Sequence, residues 1–206
     1  MTINYLALGD SYTIGTGTST ETRNFPSHLA RKLEEVTGSA VELKNPAVDG
    51  YTTIDLIRTE LPELERFKPD LITILIGAND VVQGFDERDY RSRIRQIYAR
   101  VQAIGLPPGR VVVISVPDFS VVPAAANFGV PAQIRDRIDR FNQVAFEEAR
   151  QHGFDVVDLS ELSRSGLSRP GWISADGLHP GDTQYEAWSQ LIWQQVAGRW
   201  TVQARR

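Results

Sequence analysis

Residues 71–80 read Leu-Ile-Thr-Ile-Leu-Ile-Gly-Ala-Asn-Asp, a mostly apolar run of six that ends in small and polar residues. The run lacks the alternation of apolar and polar residues that is typical of a half-exposed strand, so it indicates a strand buried on both faces. Further strands are predicted at 3–8, 41–43, 111–116 and 155–159.

Apolar residues recur with helical spacing in most of the segments between these strands. The predicted helices lie within 25–36, 52–61, 90–104, 134–149 and 183–196. Thr52 with Asp55, and Thr183 with Glu186, have the spacing of a capping box at a helix start. Alternating helices and doubly buried strands predict a parallel sheet with helices on both faces.

The composition is that of an ordinary globular protein. The chain has 206 residues, 41% hydrophobic and 23% charged, which suits one domain spanning 1–206. Its formal net charge of −4 gives no reason to expect a nucleic-acid or anionic-membrane partner. No apolar run has the length of a membrane span, and the N-terminal residues lack the basic start of a signal peptide. We therefore expect a cytoplasmic protein, while its oligomeric state is not predicted.

The sequence does not indicate metal or thiol chemistry. The chain has no cysteine, which excludes disulfides and thiolate ligands. His28 and His152 are interpreted as a helix-flank residue and a helix C-terminal residue, and no His-x-x-x-His pair is present. No cofactor is expected.

Polar clusters follow four of the predicted strands. They are residues 9–11, 49–50, 77–80 and 117–118, and a fifth cluster, 176–180, lies between the last strand and the last helix. Ligands of open parallel sheets bind beyond the carboxyl ends of the strands, so the first four clusters should gather at one edge. The fifth can reach the same edge.

Two of these clusters carry the groups for nucleophilic catalysis. Ser11 follows a strand and is preceded by Gly9, which suits a tight turn with unusual backbone angles. Asp176 lies three residues before His179, so its carboxylate can hold one ring nitrogen while the other faces a serine. The alternatives are a strand-end turn in which Ser11 caps a helix, and an ordinary surface Asp–His pair.

Two other clusters supply hydrogen-bond donors for an oxyanion. The backbone N–H of Gly50 is unobstructed by a side chain, and the Asn79 amide donates without carrying charge; the Ser11 N–H would be a third donor. The alternatives are a plain turn glycine and a helix-capping asparagine. Asp80 and Asp10 are interpreted as structural acceptors of loop hydrogen bonds.

Taken together, the clusters resemble the conserved blocks of the GDSL/SGNH hydrolase family, in order and spacing. The matching stretches are Gly-Asp-Ser at 9–11, Asn-Pro-Ala-Val-Asp-Gly-Tyr-Thr-Thr at 45–53, Gly-Ala-Asn-Asp at 77–80 and Asp-Gly-Leu-His-Pro at 176–180. Tyr12 departs from the leucine that often follows the serine. The resemblance implies a three-layer α/β/α sandwich around a mostly parallel, five-stranded, flavodoxin-like sheet. It also implies a serine esterase with a Ser11–His179–Asp176 triad and an oxyanion hole from Ser11, Gly50 and Asn79.

The substrate site is less clearly marked. Residues 119–130 form an apolar, irregular run after a strand, in which Phe119 and Val121 are predicted to line an acyl pocket. Trp172, shortly before Asp176, is a second candidate wall, and packing in the core is the alternative for both. Because the chain is too short for a large lid, we expect small or short-acyl esters as substrates.

Several other functions remain open on the sequence alone. The same fold and triad would serve a carbohydrate deacetylase, a thioesterase, a lysophospholipase or an acyltransferase. A non-catalytic phosphate or nucleotide binder is suggested by Gly-Thr-Gly-Thr at 15–18, although neither phosphate-loop spacing is present. An inactive relative is disfavoured because all the candidate catalytic residues are intact.

Overall fold

The computed structural model describes residues 2–201, and in them a five-stranded sheet forms the centre. Its strands are β1 (Thr2–Gly9), β2 (Ala40–Lys44), β3 (Leu71–Leu75), β4 (Val111–Ile114) and β5 (Asp155–Val157). Their spatial order is β2-β1-β3-β4-β5, and all neighbouring pairs are parallel. This is the flavodoxin-like order, so the predicted fold class is confirmed with a sheet that is wholly parallel.

Helices occupy most of the connections between strands. They are α1 (Ser11–Ile14), α2 (Phe25–Thr37), α3 (Thr53–Asp55), α4 (Glu63–Phe67), α5 (Ala78–Val82), α6 (Glu87–Gln102), α7 (Pro131–Gln151), α8 (Ser160–Ser165) and α9 (Asp182–Trp200). A π-helical turn, Leu56–Glu60, follows α3 directly, and 3₁₀ turns lie at Glu21–Arg23, Phe119–Val121 and Pro123–Asn127. No helix within residues 2–201 is both long and apolar enough to cross a membrane.

The strand order explains why the sheet is covered on both faces. The chain moves from β1 to β2 in one direction and from β3 through β5 in the other. Since parallel crossovers are right-handed, this reversal puts α2 on one face and α6 and α7 on the other. α9 packs beside α2, and α6 packs beside α7. The direction changes between β1 and β3, which is where such sheets bind ligands.

The central strands are buried as their composition predicts. All five residues of β3 are buried, and Tyr5 to Leu8 of β1 have no exposed surface. The Tyr5 hydroxyl is paired with the hydroxyl of Thr73 at 2.9 Å, which satisfies two polar groups in the core. β1 and β3 are in register from Tyr5 opposite Leu71 to Gly9 opposite Leu75, so they end side by side.

Several predicted elements have different limits in the structure. Pairing ends earlier than predicted in β3, β4 and β5, because the apolar residues that follow leave the sheet and pack in the loops of its carboxyl edge. The predicted capping box of Thr52 and Asp55 is confirmed. The helix predicted over 52–61 is interrupted, however, by the π-helical turn.

The start predicted for the last helix was wrong. Gly181, not Thr183, lies at the N-terminal boundary of α9. The Thr183 hydroxyl donates to the Pro170 carbonyl at 3.0 Å and its N–H donates to the Gly171 carbonyl at 3.2 Å. Thr183 therefore ties the helix to the preceding loop, and Glu186 has no capping role.

Candidate active site

Ser11 is the first residue of α1 and follows β1 after a single residue, Asp10. The Asp10 carboxylate caps the helix, because its Oδ1 accepts from the Tyr12 N–H at 3.0 Å. Gly9 is required by space and not by unusual backbone angles: a Cβ there would lie 2.2 Å from Thr13 Oγ1 and 2.3 Å from the Leu75 carbonyl oxygen. The turn thus packs against β3, and Ser11 is held at the carboxyl edge of the sheet.

The candidate base lies in a short hairpin that orients it. Ile173 bridges Pro180 in antiparallel fashion, and the Ser174 N–H donates to the His179 carbonyl at 2.9 Å. His179 Nδ1 lies 2.7 Å from Asp176 Oδ2. The predicted hydrogen bond between these two side chains is therefore present. It directs Nε2 away from the carboxylate.

The Asp176 carboxylate is held in its ionised form. Its Oδ1 accepts from the Ser174 hydroxyl at 2.6 Å, the Leu178 N–H at 2.8 Å and the His179 N–H at 2.9 Å. Partial burial opposes ionisation, but these bonds and the bond to the His179 ring lower the pKa of Asp176 well below its usual range. An anionic Asp176 favours the tautomer of His179 that carries its proton on Nδ1.

The hairpin docks beside the candidate nucleophile turn, residues 9–12, although 167 positions separate Tyr12 from His179 along the chain. The ring of His179 lies 5.8 Å from the ring of Tyr12, the residue after Ser11. A Cβ at Gly17 would lie 2.5 Å from the Pro180 carbonyl oxygen, so the two loops are in close contact. The Tyr185 hydroxyl adds a bond of 3.1 Å to the Thr16 carbonyl. Gly17 therefore makes room for the hairpin.

The two candidate donor loops are also joined. The Asn79 side-chain amide donates to the Tyr51 carbonyl at 2.9 Å, which places it next to Gly50. An amide group has two N–H donors, and this bond uses one of them. Gly50 has a φ of 81°, and a Cβ there would meet nothing within 4 Å, so its surroundings are open. Gly50 and Asn79 thus lie together, as the sequence predicted.

Asp80 and Asp10 have the structural roles predicted for them. The Asp80 carboxylate accepts from the N–H of Thr53 at 3.0 Å and from its hydroxyl, which fixes the loop after Gly50 against α5. Burial, the largest effect, raises the pKa of Asp80 in spite of these bonds. Asp10 caps α1 as described above.

A model of the GDSL-like Lipase/Acylhydrolase family matches residues 7–187, which include all of these groups. The chain belongs to this family. It is therefore an ester-hydrolysing enzyme, and the acylhydrolase activity of the family applies to it.

Individual relatives agree with the family. An arylesterase of Vibrio mimicus is 28% identical over 176 residues, which is 85% of this chain and 78% of the relative. The thioesterase 1/protease 1/lysophospholipase L1 of Escherichia coli K12 is 26% identical over 175 residues, 85% of this chain and 74% of the relative. The solved lipase/acylhydrolase of Enterococcus faecalis superposes with a TM-score of 0.72 at 23% identity, over 96% of both chains. These comparisons place this chain's fold among esterases.

The predicted pocket residues have different surroundings. Phe119 is 3% exposed and packs edge-on against Phe128, with ring centroids 6.4 Å apart. Both line a cavity of about 120 Å³ together with Val82 of α5, the helix that carries Asn79. Val121 is half-buried at the end of the 3₁₀ turn that Phe119 begins, and it does not line this cavity.

Trp172 packs in the core, which was the alternative to its interpretation as a pocket wall. Its side chain is 1% exposed and lies against Gly166, where a Cβ would come within 2.1 Å of the indole. The indole N–H points to the Ser163 carbonyl at 3.4 Å. The ring therefore packs α8 against the loop that leads to the hairpin with Asp176 and His179.

The remaining histidines lie where the sequence placed them. His28 is on α2, and His152 ends α7 with Nδ1 at 2.8 Å from the Glu148 carbonyl. Within residues 2–201, no three His, Asp or Glu side chains are grouped so that they could hold a metal ion.

Sequence reasoning missed one functional candidate, Glu60. Its side chain is fully buried, and Oε2 accepts from the N–H of Gly9 at 2.9 Å. The signal in the sequence was a carboxyl placed directly between the buried residues Leu56 and Leu61. A strictly helical pattern hides this residue, because the π-helical turn shifts the register of the side chains that follow.

Proposed function

We propose that the chain is a serine esterase in which Ser11 is the nucleophile, His179 its base and Asp176 the group that orients the base. The observation that carries this proposal is the Asp176–His179 hydrogen bond of 2.7 Å, in a hairpin that packs against the nucleophile turn. This side-chain pair has the roles of the second and third members of a catalytic triad. The phosphate-binding alternative has no comparable support, because Gly17 makes room for the hairpin and Gly15 ends α1 against Asn24.

In the first step, Ser11 Oγ attacks the acyl carbonyl carbon while His179 Nε2 takes the hydroxyl proton. The N–H groups of Ser11 and Gly50 and the side chain of Asn79 stabilise the resulting oxyanion. The bond to the leaving alcohol then breaks, and the imidazolium returns the proton to the departing oxygen. This leaves an acyl group on Ser11 and a neutral His179.

In the second step, water attacks the acyl-enzyme and the same groups act again. His179 accepts a proton from the water and gives it to Ser11 Oγ as the acid is released. The His179 side chain is 16% exposed, which allows water to reach it without a large movement. Ionised Asp176 stabilises the imidazolium in both steps.

For the substrate, we propose esters with small or short acyl groups. The cavity of about 120 Å³ beside α5 is lined by Val82, Phe119 and Phe128 and suits a short apolar chain. We place the acyl group there because α5 also carries Asn79. Val121 does not line this cavity, so we assign it no contact with the acyl group there.

Thioesters and lysophospholipids form a second candidate class, because the Escherichia coli relative is named for both activities. A panel of aryl esters from acetate to palmitate, an acyl thioester, a lysophospholipid and an acetylated xylooligosaccharide separates these substrates. Short aryl esters should have the highest kcat/KM. A clear preference for long acyl chains would contradict the short-acyl proposal.

The nucleophile is tested with Ser11→Ala and an activated short-chain ester. The variant should fold as the wild type does, because Ser11 contributes little buried surface, and kcat should fall by about 10⁴ or more. Turnover near the wild-type rate by a folded variant would refute the proposal.

A further inference from the structure

The buried side chain of Glu60 contacts the nucleophile turn at Gly9. Glu60 is the last residue of the π-helical turn Leu56–Glu60 and has no exposed surface. Its Oε2 accepts from the N–H of Gly9 at 2.9 Å, across 51 residues of chain. Gly9 is two residues before Ser11, so a shift of Glu60 would be transmitted directly to the nucleophile.

A second buried carboxyl, Asp10, lies in the same turn. Asp10 also has no exposed surface, and its Oδ1 caps α1. Its Oδ2 and the Oε1 of Glu60 are both buried without a hydrogen-bond partner among the described residues. A buried carboxylate with an unpaired oxygen is costly, whereas an uncharged acid is tolerated much better.

The charges around Glu60 and Asp10 also favour the uncharged form of both carboxyls. Burial raises the pKa of Glu60 to about 8, and the charges of Asp10 and Asp55 add to the increase, while the Gly9 N–H opposes it. Burial likewise raises the pKa of Asp10 to about 8; its bond from the Tyr12 N–H opposes this, and Asp80 and Asp49 add to it.

The nearby cation, Arg93, interacts with the carboxyl of Asp80. Arg93 of α6 donates to the Thr53 hydroxyl at 2.9 Å, and its charge favours ionisation of Asp80. The groups acting on Glu60 itself are therefore acidic, apart from one backbone N–H.

We propose that Glu60 is a positioning residue for Ser11, acting as an uncharged acid that holds the Gly9 N–H and keeps negative charge away from the reacting oxygen. This inference rests on the proposed role of Ser11 as nucleophile. The acylation transition state carries negative charge on the oxyanion. A second negative charge next to the turn that holds Ser11 would raise the free energy of this transition state. Ionisation of Glu60 should therefore reduce kcat as the pH rises, without changing which residues react.

The test uses two substitutions of Glu60 and a surface control. Glu60→Gln keeps an oxygen acceptor for the Gly9 N–H but cannot ionise. Glu60→Met keeps the length and removes the acceptor. Glu65→Gln is the control, because Glu65 is 75% exposed and pairs with Arg100 on the surface. Each protein is assayed for kcat and KM on a short-chain aryl ester from pH 6 to pH 10, with folding checked by circular dichroism.

We expect wild type and Glu65→Gln to lose kcat together above about pH 8. Glu60→Gln should have a pH 7 kcat within about threefold of wild type, and it should lose less kcat than wild type between pH 7 and pH 9, because of the two buried carboxyls only Asp10 can still ionise. Glu60→Met should lose at least tenfold in kcat at pH 7 with KM within about threefold. An alkaline loss of kcat in Glu60→Gln as large as that of wild type, or a wild-type kcat in folded Glu60→Met, would overturn the proposal.

A direct titration keeps the proposal testable if Glu60→Met fails to fold. In protein labelled with ¹³C at glutamate carboxyls, the signal that disappears in Glu60→Gln belongs to Glu60. It should titrate near pH 8, and titration near the ordinary value for glutamate would overturn the proposal. If Ser11→Ala hydrolysed esters at the wild-type rate, the proposed function would fail while this titration could still be read.

Discussion

Asp176→Asn separates the orienting role of Asp176 from its structural role. Asparagine is almost isosteric, so its carbonyl can still accept the three bonds that Oδ1 accepts from Ser174, Leu178 and His179. The amide NH₂ then takes the position of Oδ2, 2.7 Å from His179 Nδ1. A donor there requires an unprotonated Nδ1, which moves the ring proton to Nε2. The ring can then no longer accept the Ser11 proton.

We expect a large decrease in kcat and a small decrease in the free energy of unfolding. In serine proteases the same change in the triad lowers kcat by about 10⁴, and a loss of about 10³ to 10⁴ here corresponds to roughly 4 to 5 kcal/mol in the barrier. The Asp176 side chain is 43% exposed, so solvent screens its charge and the free energy of unfolding should fall by about 1 kcal/mol or less. This corresponds to roughly 2–4 °C in Tm for a chain of this size.

The assay is kcat on an activated short-chain ester, with Tm from thermal unfolding. Asp182→Asn is the matched control, because Asp182 is a similar carboxylate that accepts from the Ser19 N–H and hydroxyl at 2.8 and 2.6 Å. It should leave kcat within about threefold of wild type. A loss of less than tenfold in a folded Asp176→Asn protein would refute the triad.

Four further outcomes are expected. Asn79→Ala should lower kcat by about 10² to 10³ with little change in KM, since one oxyanion donor is lost; steady-state kinetics measure this, and an equal rise in KM would contradict it. Trp172→Ala should lower the free energy of unfolding, measured with urea, by about 3–5 kcal/mol because the ring is buried. If Trp172 were instead a pocket wall, the substitution would change KM and leave the free energy of unfolding almost unaltered. Phe128→Ala should shift the preferred acyl chain to greater length in the aryl ester series, because Phe128 lines the cavity and is 37% exposed; an unchanged profile would remove the acyl group from this cavity. Glu60 has a folded pKa of about 8 against an ordinary value of 4.5, so stability falls as the pH rises between these values. Glu60→Gln should reduce the loss of unfolding free energy between pH 5 and pH 8 by on the order of 1–4 kcal/mol, and equal losses in both proteins would contradict the burial argument.

Much of the fold was predictable because buried parallel strands have a simple pattern. The run at 71–76 has apolar residues on both faces, and it forms the centre of the sheet beside β1. The strand ends were less predictable: the apolar residues after β4 are buried in loops, so hydrophobicity alone did not show where pairing stops.

The candidate site was predictable where neighbouring residues in the chain define it. The Asp176–His179 pair is local, and both Gly50 and Asn79 lie within recognisable motifs. The roles of Trp172 and Glu60 were not predictable, since each depends on how the chain folds around the side chain. Trp172 packs against Gly166, and Glu60 reaches Gly9 through a π-helical turn that no periodicity predicts. The cytoplasmic location stays a prediction.

The central claim is that Ser11 forms a covalent bond with the substrate acyl group. A fluorophosphonate reacts with an activated serine in the same way, and digestion followed by mass spectrometry locates the label. We predict stoichiometric labelling of Ser11 in wild type, much slower labelling in Asp176→Asn and none at this position in Ser11→Ala. Hydrolytically active wild-type protein labelled at another residue, or not labelled at all, would contradict the account.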